Sequence, residues 1–420
     1  MTHTAEIICV GTELLLGNVV NTNASEISEA LSELGINVYY HTVAGDNPGR
    51  LRAAIDIAAA RADIIITTGG LGPTCDDLTK QTLADAFDLK MVMHEDQAEH
   101  LKKYYFGNLH NAAMTSNNLR QTVFPEGCTI FPNECGTAPG CAFFARGVHV
   151  LMLPGPPREM RDMLKKQAVP YLLSLSDYGI HSHVIHVFGM GESLMEDKLH
   201  DLMETMTNPT LAPYAKEGEA LTRITARTHS PEEAEALMAP VMEEVLKRLG
   251  NVVYGVDIPD LESVCVKLLS EKELTLACAE SCTGGMLSKR ITDVPGASKV
   301  FLGGITAYAA AVKEKLLDIP PELISSEGVV SRDVALAMAA GARKALGADL
   351  GIGITGLAGP DGDGSEVPVG TVYVALSSAD ASYCRKLKLG NNRVRTRTIA
   401  SSHALDMIRR SLTGLPVEAI

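Results

Sequence analysis

The stretch T-L-A-C-A-E-S-C-T-G-G-M-L-S-K-R, residues 275–290, joins an apolar run to a helix-like segment through a turn of small residues. The apolar half is typical of a buried strand. Ser281 and Thr283 follow it, and Gly284 and Gly285 then let the backbone approach a ligand closely. The new helix would present its positive end to that ligand. This geometry suits a nucleophile beside an oxyanion or phosphate site, although small residues at such a turn can also serve packing alone.

Ser281 needs a partner that takes its proton, because a free hydroxyl is a weak nucleophile. His403 is the one histidine of residues 257–420 and lies deep in the final helical pattern, so a Ser-His-Asp arrangement is unattractive. Lys313, five residues after Tyr308, is the remaining base, because a desolvated lysine can accept a proton at neutral pH. The competing interpretation is a solvated Lys313 on a helix surface, which the sequence pattern alone favours.

Other polar residues in this part of the chain are candidate anion contacts. Thr355 ends a strand-like run, and Arg393, Arg395 and Arg397 precede the final helix, where guanidinium groups suit phosphate or carboxylate. Three arginines within five residues can equally face solvent. Cys282 is a competing nucleophile, but neighbouring residues at a strand end face opposite ways, so we interpret it as a core residue.

Length and composition limit the class of protein. At 420 residues the chain is too long for one ordinary domain, and two or three are expected. No apolar run reaches bilayer length and no secretory signal pattern opens the sequence, so we expect a cytoplasmic protein without a membrane partner. Nine cysteines without C-x-x-C spacing predict reduced thiols rather than a zinc site. A net charge of −14 argues against a nucleic-acid partner.

Residues 5–172 alternate between strand-like and helix-like segments. Apolar runs without alternation, separated by helices, predict a parallel sheet covered on both faces. Between the first two runs, a stripe over residues 27–34 predicts an amphipathic helix with Asn23 as its N-cap and Gly35 after its end. Ligands of such sheets bind beyond the carboxyl ends of the strands.

The loop G-G-L-G-P-T-C-D-D-L-T, residues 69–79, follows the third of these strands. Its backbone N–H groups and hydroxyl suit a phosphate. The candidate contacts are Gly69, Gly70, Gly72 and Thr74. Asp76 and Asp77 can hold a hard divalent cation such as Mg²⁺, directly or through water. The alternative is a turn before a helix, with Asp77 as N-cap and Thr74 in a local hydrogen bond, and the spacing favours neither interpretation.

Residues 173–256 combine short strand-like segments with two helical patterns, which predicts a small α+β module. Within it, A-P-Y-A-K-E-G-E, residues 212–219, is interpreted as a polar loop. Lys216 of this loop is a candidate substrate contact, and otherwise an exposed charge. No G-x-x-G loop is present in the module, which argues against RNA binding.

Together these motifs resemble those of the CinA family, the competence/damage-inducible protein A, over essentially the whole chain. The resemblance rests on G-T-E-L-L-L-G, T-T-G-G-L-G-P-T-C-D-D-L-T, L-P-G-P-P-R-E-M, G-M-G-E-S, A-E-S-C-T-G-G, Y-x-x-x-x-K and G-I-T-G-L-A-G-P-D-G. It implies an α/β protein of three domains. These are a molybdopterin-binding-like parallel-sheet domain over residues 1–172, a KH-type α+β domain over 173–256 and a nicotinamide mononucleotide (NMN) amidase domain over 257–420.

The resemblance further implies hydrolysis of NMN to nicotinate mononucleotide and ammonia without a cofactor, together with a metal-dependent ADP-ribose pyrophosphatase in the first domain and a homodimer. Ser281 would be the catalytic hydroxyl, with Lys313 and Tyr308 assisting. The implied substrate contacts are Thr283, Gly284, Gly285, Thr355 and Arg395. The alternative function is a non-catalytic nucleotide- or molybdopterin-binding scaffold.

Two positions depart from the family pattern. Ala309 and Ala310 replace a polar Ser-Asn pair after Tyr308, so a polar substrate contact is expected to be missing. Asn392 stands in a segment where the family often has Gly-Asp-Arg, so an amide replaces an expected carboxylate.

Overall fold

The computed structural model describes residues 3–108, 116–175, 178–216 and 218–418, except for the side chains of residues 100, 103–108, 116, 215 and 216. The described chain divides into two compact units. The first comprises Met1–His181 with Ala226–Glu235, and the second comprises Ser182–Thr225 with Ala236–Ile420. In the described ranges, no helix has both the length and the apolar character needed to cross a membrane.

The elements alternate along much of the chain, as the sequence predicts. The strands are β1 Thr4–Val10, β2 Asn37–Ala44, β3 Ile64–Thr68, β4 Met91–Met93, β5 Val123–Pro125, β6 Thr129–Phe131, β7 Gly140–Ala145, β8 Val148–Leu153, β9 Gly179–Val187, β10 Thr210–Lys216, β11 Glu219–Thr228, β12 Val253–Val256, β13 Leu276–Glu280, β14 Phe301–Thr306, β15 Leu350–Gly356, β16 Thr371–Ser377 and β17 Ser382–Lys388. The α-helices are α1 Thr12–Leu15, α2 Thr22–Glu33, α3 Pro48–Ala59, α4 Thr79–Ala86, α5 Glu95–Asn108, α6 Pro157–Met163, α7 Val169–Leu173, α8 Glu192–Thr205, α9 Pro231–Leu249, α10 Leu261–Glu271, α11 Met286–Thr292, α12 Ala310–Leu317, α13 Pro321–Glu327, α14 Arg332–Leu346 and α15 Arg393–Thr413.

The sheet of the first unit has six strands in the order β2-β1-β3-β8-β7-β6. Strands β2, β1, β3 and β8 are parallel, which confirms the predicted parallel sheet. Strands β7 and β6 are antiparallel additions at one edge. The β7–β8 hairpin has a two-residue turn, Arg146 and Gly147, in which both residues have positive φ, and turns of this kind match the twist of paired strands.

The predicted N-cap of α2 is wrong by two residues. Asn21 is the N-cap, and its side chain accepts a hydrogen bond from the backbone N–H of Ala24. Asn23 lies inside the helix and is buried. Its Nδ2 donates to Thr68 Oγ1 at 2.9 Å and to the Gly155 carbonyl at 2.8 Å. The sequence places two asparagines at this helix start, and tertiary bonds decide which of them caps it.

The small sheet of the middle module has the order β10-β11-β9-β12. The predicted polar loop over residues 212–219 is wrong, because residues 212–216 belong to β10 and pair with β11 in an antiparallel hairpin. Strand β11 alternates between buried and half-buried positions along its length, as expected of a strand with one face on a core. Thr222 and Ile224 are buried in this register. The same strand pairing continues into residues 212–219, although their composition is polar.

The last sheet has five strands in the order β14-β13-β15-β16-β17. The central strand β13 is parallel to both neighbours, whereas β16 and β17 are antiparallel. All residues of β13 are buried, and apolar clusters cover both faces of the sheet. Ser281 follows this strand, so the turn in which it lies is held at the carboxyl end of a fully buried strand.

Helix α12 begins without a side-chain cap. Ala309 occupies the N-cap position with extended backbone, φ −82° and ψ 154°, which is the conformation of capping residues. A serine here would place a hydroxyl oxygen at the free N–H groups of the first turn. The departure of Ala309 from the family pattern therefore has a local structural consequence, a missing helix cap.

We predict that Ala309→Ser raises the stability of the second unit by about 0.5–1 kcal/mol, because serine supplies the missing cap. The shift of the thermal unfolding transition measures this. Ala310→Ser, one residue inside the helix, is the matched control and should give no gain. An equal gain from Ala310→Ser would contradict the capping explanation.

Candidate functional site

Ser281 lines a cavity of about 350 Å³ in the second unit. Its backbone N–H donates to the Ile354 carbonyl of β15 at 2.9 Å, and this bond fixes the start of the turn against the neighbouring strand. The residue is 8% exposed, so its hydroxyl is sheltered from bulk water but lines the cavity.

Lys313 extends from α12 to the same cavity, and only 1% of its surface is exposed. Its Nζ lies 2.8 Å from the carbonyl oxygen of Ala307, 3.1 Å from that of Tyr308 and 3.2 Å from Ser281 Oγ. No carboxylate of the described chain is among the groups that bind this amine. Burial therefore lowers the pKa of Lys313 below its usual range. The interpretation of Lys313 as a solvated surface residue is wrong.

Nζ of Lys313 donates to Ser281 Oγ and to the carbonyls of Ala307 and Tyr308, which accounts for the three N–H groups of the charged form. A neutral amine has two N–H donors and one lone pair. When Lys313 is neutral, the two carbonyls can accept its two N–H groups, which leaves the lone pair to accept the proton of the Ser281 hydroxyl. The arrangement can therefore take a proton from Ser281 without a histidine.

Glu280 organises the turn after Ser281, and sequence reasoning did not single it out. Its side chain is 1% exposed and accepts hydrogen bonds from the backbone N–H groups of Gly285, Leu287 and Ser288 at 2.8–3.1 Å. The Ser288 hydroxyl donates to it as well, at 2.7 Å. A carboxylate in this position stabilises the start of α11. The available signal was a glutamate at the end of an otherwise apolar strand.

The predicted contacts Thr283, Gly284 and Gly285 do not line the cavity around Ser281. Thr283 is fully buried, and the carbonyl of Thr283 accepts a 2.7 Å bond from Arg397. Gly285 has φ +94° and gives its N–H to Glu280, so that N–H is not free for a ligand. The glycines shape the turn, and their roles as substrate contacts stay predictions.

Thr355 and Tyr308 line the cavity together with Ser281. Thr355 donates its hydroxyl hydrogen to the Val329 carbonyl at 2.6 Å, so toward a ligand it can act as an acceptor. Tyr308 is 63% exposed, and its contact with Lys313 runs through its backbone carbonyl. Arg393 lines the cavity and donates to the Gly359 carbonyl at 3.0 Å, whereas the predicted contact Arg395 is exposed and does not line it.

Two competing residues are less suited to the chemistry than Ser281 and Lys313. Cys282 borders the cavity but packs in the apolar core, and burial raises the pKa of its thiol to about 11, which favours the protonated thiol at neutral pH. Burial lowers the pKa of His403 to about 4, and this residue does not line the cavity. Asn392, the second departure from the family pattern, is the N-cap of α15 and accepts the N–H of Arg395 at 3.1 Å.

A second cavity, of about 560 Å³, lies in the first unit at the carboxyl ends of its parallel strands. Its lining includes the predicted residues Gly69, Gly70, Gly72, Asp76 and Asp77. Thr74 is not part of the lining. Its backbone N–H donates to Asp77 at 2.8 Å, and its hydroxyl lies against Asp76 and Asp77, so it orders the loop.

Position 69 requires glycine because the backbone of Val10 passes very close to it. A Cβ at this position would lie 2.1 Å from the carbonyl oxygen of Val10, and φ is +103°. Its N–H donates to the Leu153 carbonyl and is not available to a phosphate. The interpretation of Asp77 as N-cap of α4 is wrong, because Leu78 occupies the cap position without a side-chain bond. Asp77 instead closes the turn through Thr74.

The carboxylates of this second cavity suit an ion such as Mg²⁺, which takes few of its ligands from the protein. In the described part of the chain, no three His, Cys, Asp or Glu side chains converge as a metal-binding group. Mg²⁺ commonly uses only one or two carboxylates and takes its other ligands from water and substrate phosphates. Asp76 and Asp77 meet that need, and the Thr74 hydroxyl keeps the pKa of Asp76 below its usual range.

Lys216 ends strand β10. Its side chain lies outside the described part of the structure, so its role as a substrate contact stays a prediction.

Family profiles match the chain in three consecutive ranges. They are described as "Probable molybdopterin binding domain" over residues 6–174, "Damage-inducible protein CinA KH domain" over 182–255 and "CinA C-terminal domain" over 259–412. A CinA-like protein of Dictyoglomus thermophilum is 48% identical over 410 residues, which cover 98% of this chain and 99% of the relative. The chain belongs to the CinA family.

Similarity to other CinA proteins extends along the chain. A CinA-like protein of Desulfovibrio desulfuricans is 49% identical over 421 residues, covering 99% of this chain and 97% of the relative. A crystal structure of the protein CinA from Thermoplasma acidophilum is 34% identical, with a TM-score of 0.37, and covers 40% of this chain and 96% of that one. The resemblance inferred from the motifs, including the order of the three domain types, is confirmed.

We predict that Glu280→Gln lowers the stability of the second unit by about 1–3 kcal/mol, because the amide NH₂ replaces one acceptor oxygen and meets N–H donors. Glu271→Gln, at the exposed end of α10, is the matched control and should change stability little. Urea unfolding of the two variants measures the difference. Equal stability of the two variants would contradict the role assigned to Glu280.

Proposed function

We propose that the second unit hydrolyses the carboxamide of NMN to nicotinate mononucleotide and ammonia. The observation that supports this most is the 3.2 Å contact between Lys313 Nζ and Ser281 Oγ, made by a buried amine of lowered pKa beside a cavity. A serine and a lysine so arranged form a nucleophile and its base. The CinA C-terminal domain match is the family context for the proposal.

The proposed reaction has two stages. In the first, Lys313 takes the proton of Ser281 while Oγ attacks the amide carbon. The lysine then gives that proton to the departing nitrogen, so that ammonia leaves and a Ser281 ester remains. In the second stage, Lys313 activates water, which attacks the ester carbon and releases the carboxylic acid while the hydroxyl of Ser281 is restored.

The cavity lining is consistent with NMN as the substrate. About 350 Å³ lies within the range of small-ligand sites. The nicotinamide ring of NMN carries a positive charge, and the carboxylates of Asp361 and Asp363 line the cavity. The guanidinium of Arg393 lines it too and suits the phosphate. The lining therefore offers groups of both signs to a substrate that carries both charges.

We predict that Lys313→Met lowers ammonia release from NMN by about 100-fold to 10,000-fold, because methionine keeps the length of the side chain but cannot accept a proton. Lys315→Met removes an exposed lysine of the same helix and should leave the rate unchanged. Ser281→Ala gives the background rate. Normal turnover by Lys313→Met would exclude the lysine as the base, and no release above the Ser281→Ala background in the unmodified protein would exclude the amidase.

We propose a second activity, the metal-dependent cleavage of ADP-ribose in the cavity of the first unit. The supporting observation is that Asp76 and Asp77 share a 560 Å³ cavity with the glycine loop at the carboxyl ends of parallel strands. A divalent ion held by these carboxylates would neutralise charge on the pyrophosphate oxygens. The chain itself would hold the ion through Asp76 and Asp77 and fix their orientation through Thr74.

We predict that Asp77→Asn abolishes AMP release from ADP-ribose, because the amide binds a divalent ion more weakly and loses the charge. Chelation by EDTA should have the same effect, with recovery on adding Mg²⁺. Asp85→Asn, an exposed carboxylate of α4, is the control and should retain the activity. Cleavage that continues in EDTA would refute a metal-dependent reaction, and tight nucleotide binding without cleavage would favour the scaffold function.

A further inference from the structure

Gln121 lines the cavity of the first unit with an amide that is incompletely hydrogen-bonded. Its side chain is 1% exposed, and its Oε1 has no hydrogen-bond partner among the described residues. Its Nε2 donates one hydrogen bond, of 3.3 Å, to Thr137 Oγ1. One oxygen acceptor and a second N–H therefore remain available on the same planar group. Buried polar atoms without partners are uncommon in folded proteins, so this one needs an explanation.

The backbone behind Gln121 is held firmly. Lys80 is 7% exposed, and its Nζ donates to the carbonyl of Gln121 at 2.9 Å and to that of Arg120 at 3.2 Å. The same ammonium lies 4.4 Å from the ring centroid of Phe124. These contacts fix the main chain from which the amide extends. The amide itself is buried and is held by its hydrogen bond to Thr137, so its free oxygen does not belong to a loose surface side chain.

The chemistry of the free amide edge selects the kind of ligand. An oxygen acceptor repels phosphate oxygens, so this edge does not suit the phosphates of a nucleotide. An acceptor next to an N–H donor is the pattern with which glutamine pairs with adenine, accepting from the exocyclic amino group and donating to the adjacent ring nitrogen. A hypoxanthine base presents a carbonyl oxygen in place of that amino group and would oppose the Oε1 atom.

We infer that Gln121 recognises the aminated heterocycle of the ligand in this cavity, through its Oε1 and its free Nε2 hydrogen. The inference deepens the proposed pyrophosphatase and rests on it for a nucleotide ligand. The amino groups of adenine and of a pterin share the required chemistry. Gln121 is thus a specificity-determining residue, and its unsatisfied oxygen in the free protein is completed by the ligand.

Calorimetric titration of the full chain with AMP, IMP and neopterin tests this, with NMN present to occupy the cavity of the second unit. Binding needs no turnover, so a failure of the pyrophosphatase proposal is seen separately. We expect AMP to bind about 10-fold to 100-fold more tightly than IMP. Gln121→Met should abolish that preference, whereas Gln81→Met, an exposed glutamine of α4, should retain it.

Protein stability is a second measurement on the same variants. Because Gln121→Met removes a buried atom without a partner, its ligand-free unfolding temperature should equal or exceed that of the unmodified protein. Neopterin binding that depends on Gln121, in the absence of AMP binding, would support recognition of a pterin. Measurable but equal affinities for AMP and IMP, a preference that survives in Gln121→Met, or no binding of any of the three probes would overturn the inference.

Discussion

The burial of Lys313 among neutral acceptors is the constraint on which the proposed chemistry depends. An ammonium ion in this position would have two backbone carbonyls and a hydroxyl as partners and no carboxylate, so burial favours loss of its proton. The surrounding elements maintain this situation. Helix α12 carries the amine, β13 ends at the hydroxyl, and the backbone at Ala307 and Tyr308 fixes the direction of the N–H groups. A solvated lysine would lack this effect of burial and would be a poorer proton acceptor at neutral pH.

Charge is distributed differently in the two cavities. In the second unit, the buried carboxylate of Glu280 accepts hydrogen bonds from the backbone of the turn, and the proposed base is an amine. In the first unit, Asp76 and Asp77 line the cavity, and in the proposed reaction a cation would offset their charge before a phosphate approaches. Both sites lie at the carboxyl ends of parallel strands, which is where α/β sheets bind their ligands. In the proposed functions, two unrelated hydrolysis reactions thus take place at the same position relative to a parallel sheet.

The features that the sequence predicted correctly are those that depend on short-range periodicity. The α/β class, the parallel strands, the strand-to-helix turn at Ser281 and the glycine loop near Asp77 were all available from the sequence. Long-range geometry was not: the burial of Lys313 depends on strands that are distant in the chain, and the pattern around it favoured a surface position. Gln121 gave no local signal, because its significance is an unpaired atom in a cavity. The hairpin that includes Lys216 was misjudged because pairing with β11 outweighs the polar composition of its tip.

The measurement that tests the central claim most directly is the titration of Lys313 itself. Carbon-13 NMR of the lysine Cε groups can follow it, with the signal assigned by its loss in Lys313→Met and with exposed Lys315 as the internal reference. The structure predicts that Lys313 titrates below the ordinary lysine pKa of 10.5, because burial opposes its charge. A titration at or above 10.5 would show that burial does not lower the pKa of Lys313 and would contradict the account of this lysine as the base for Ser281.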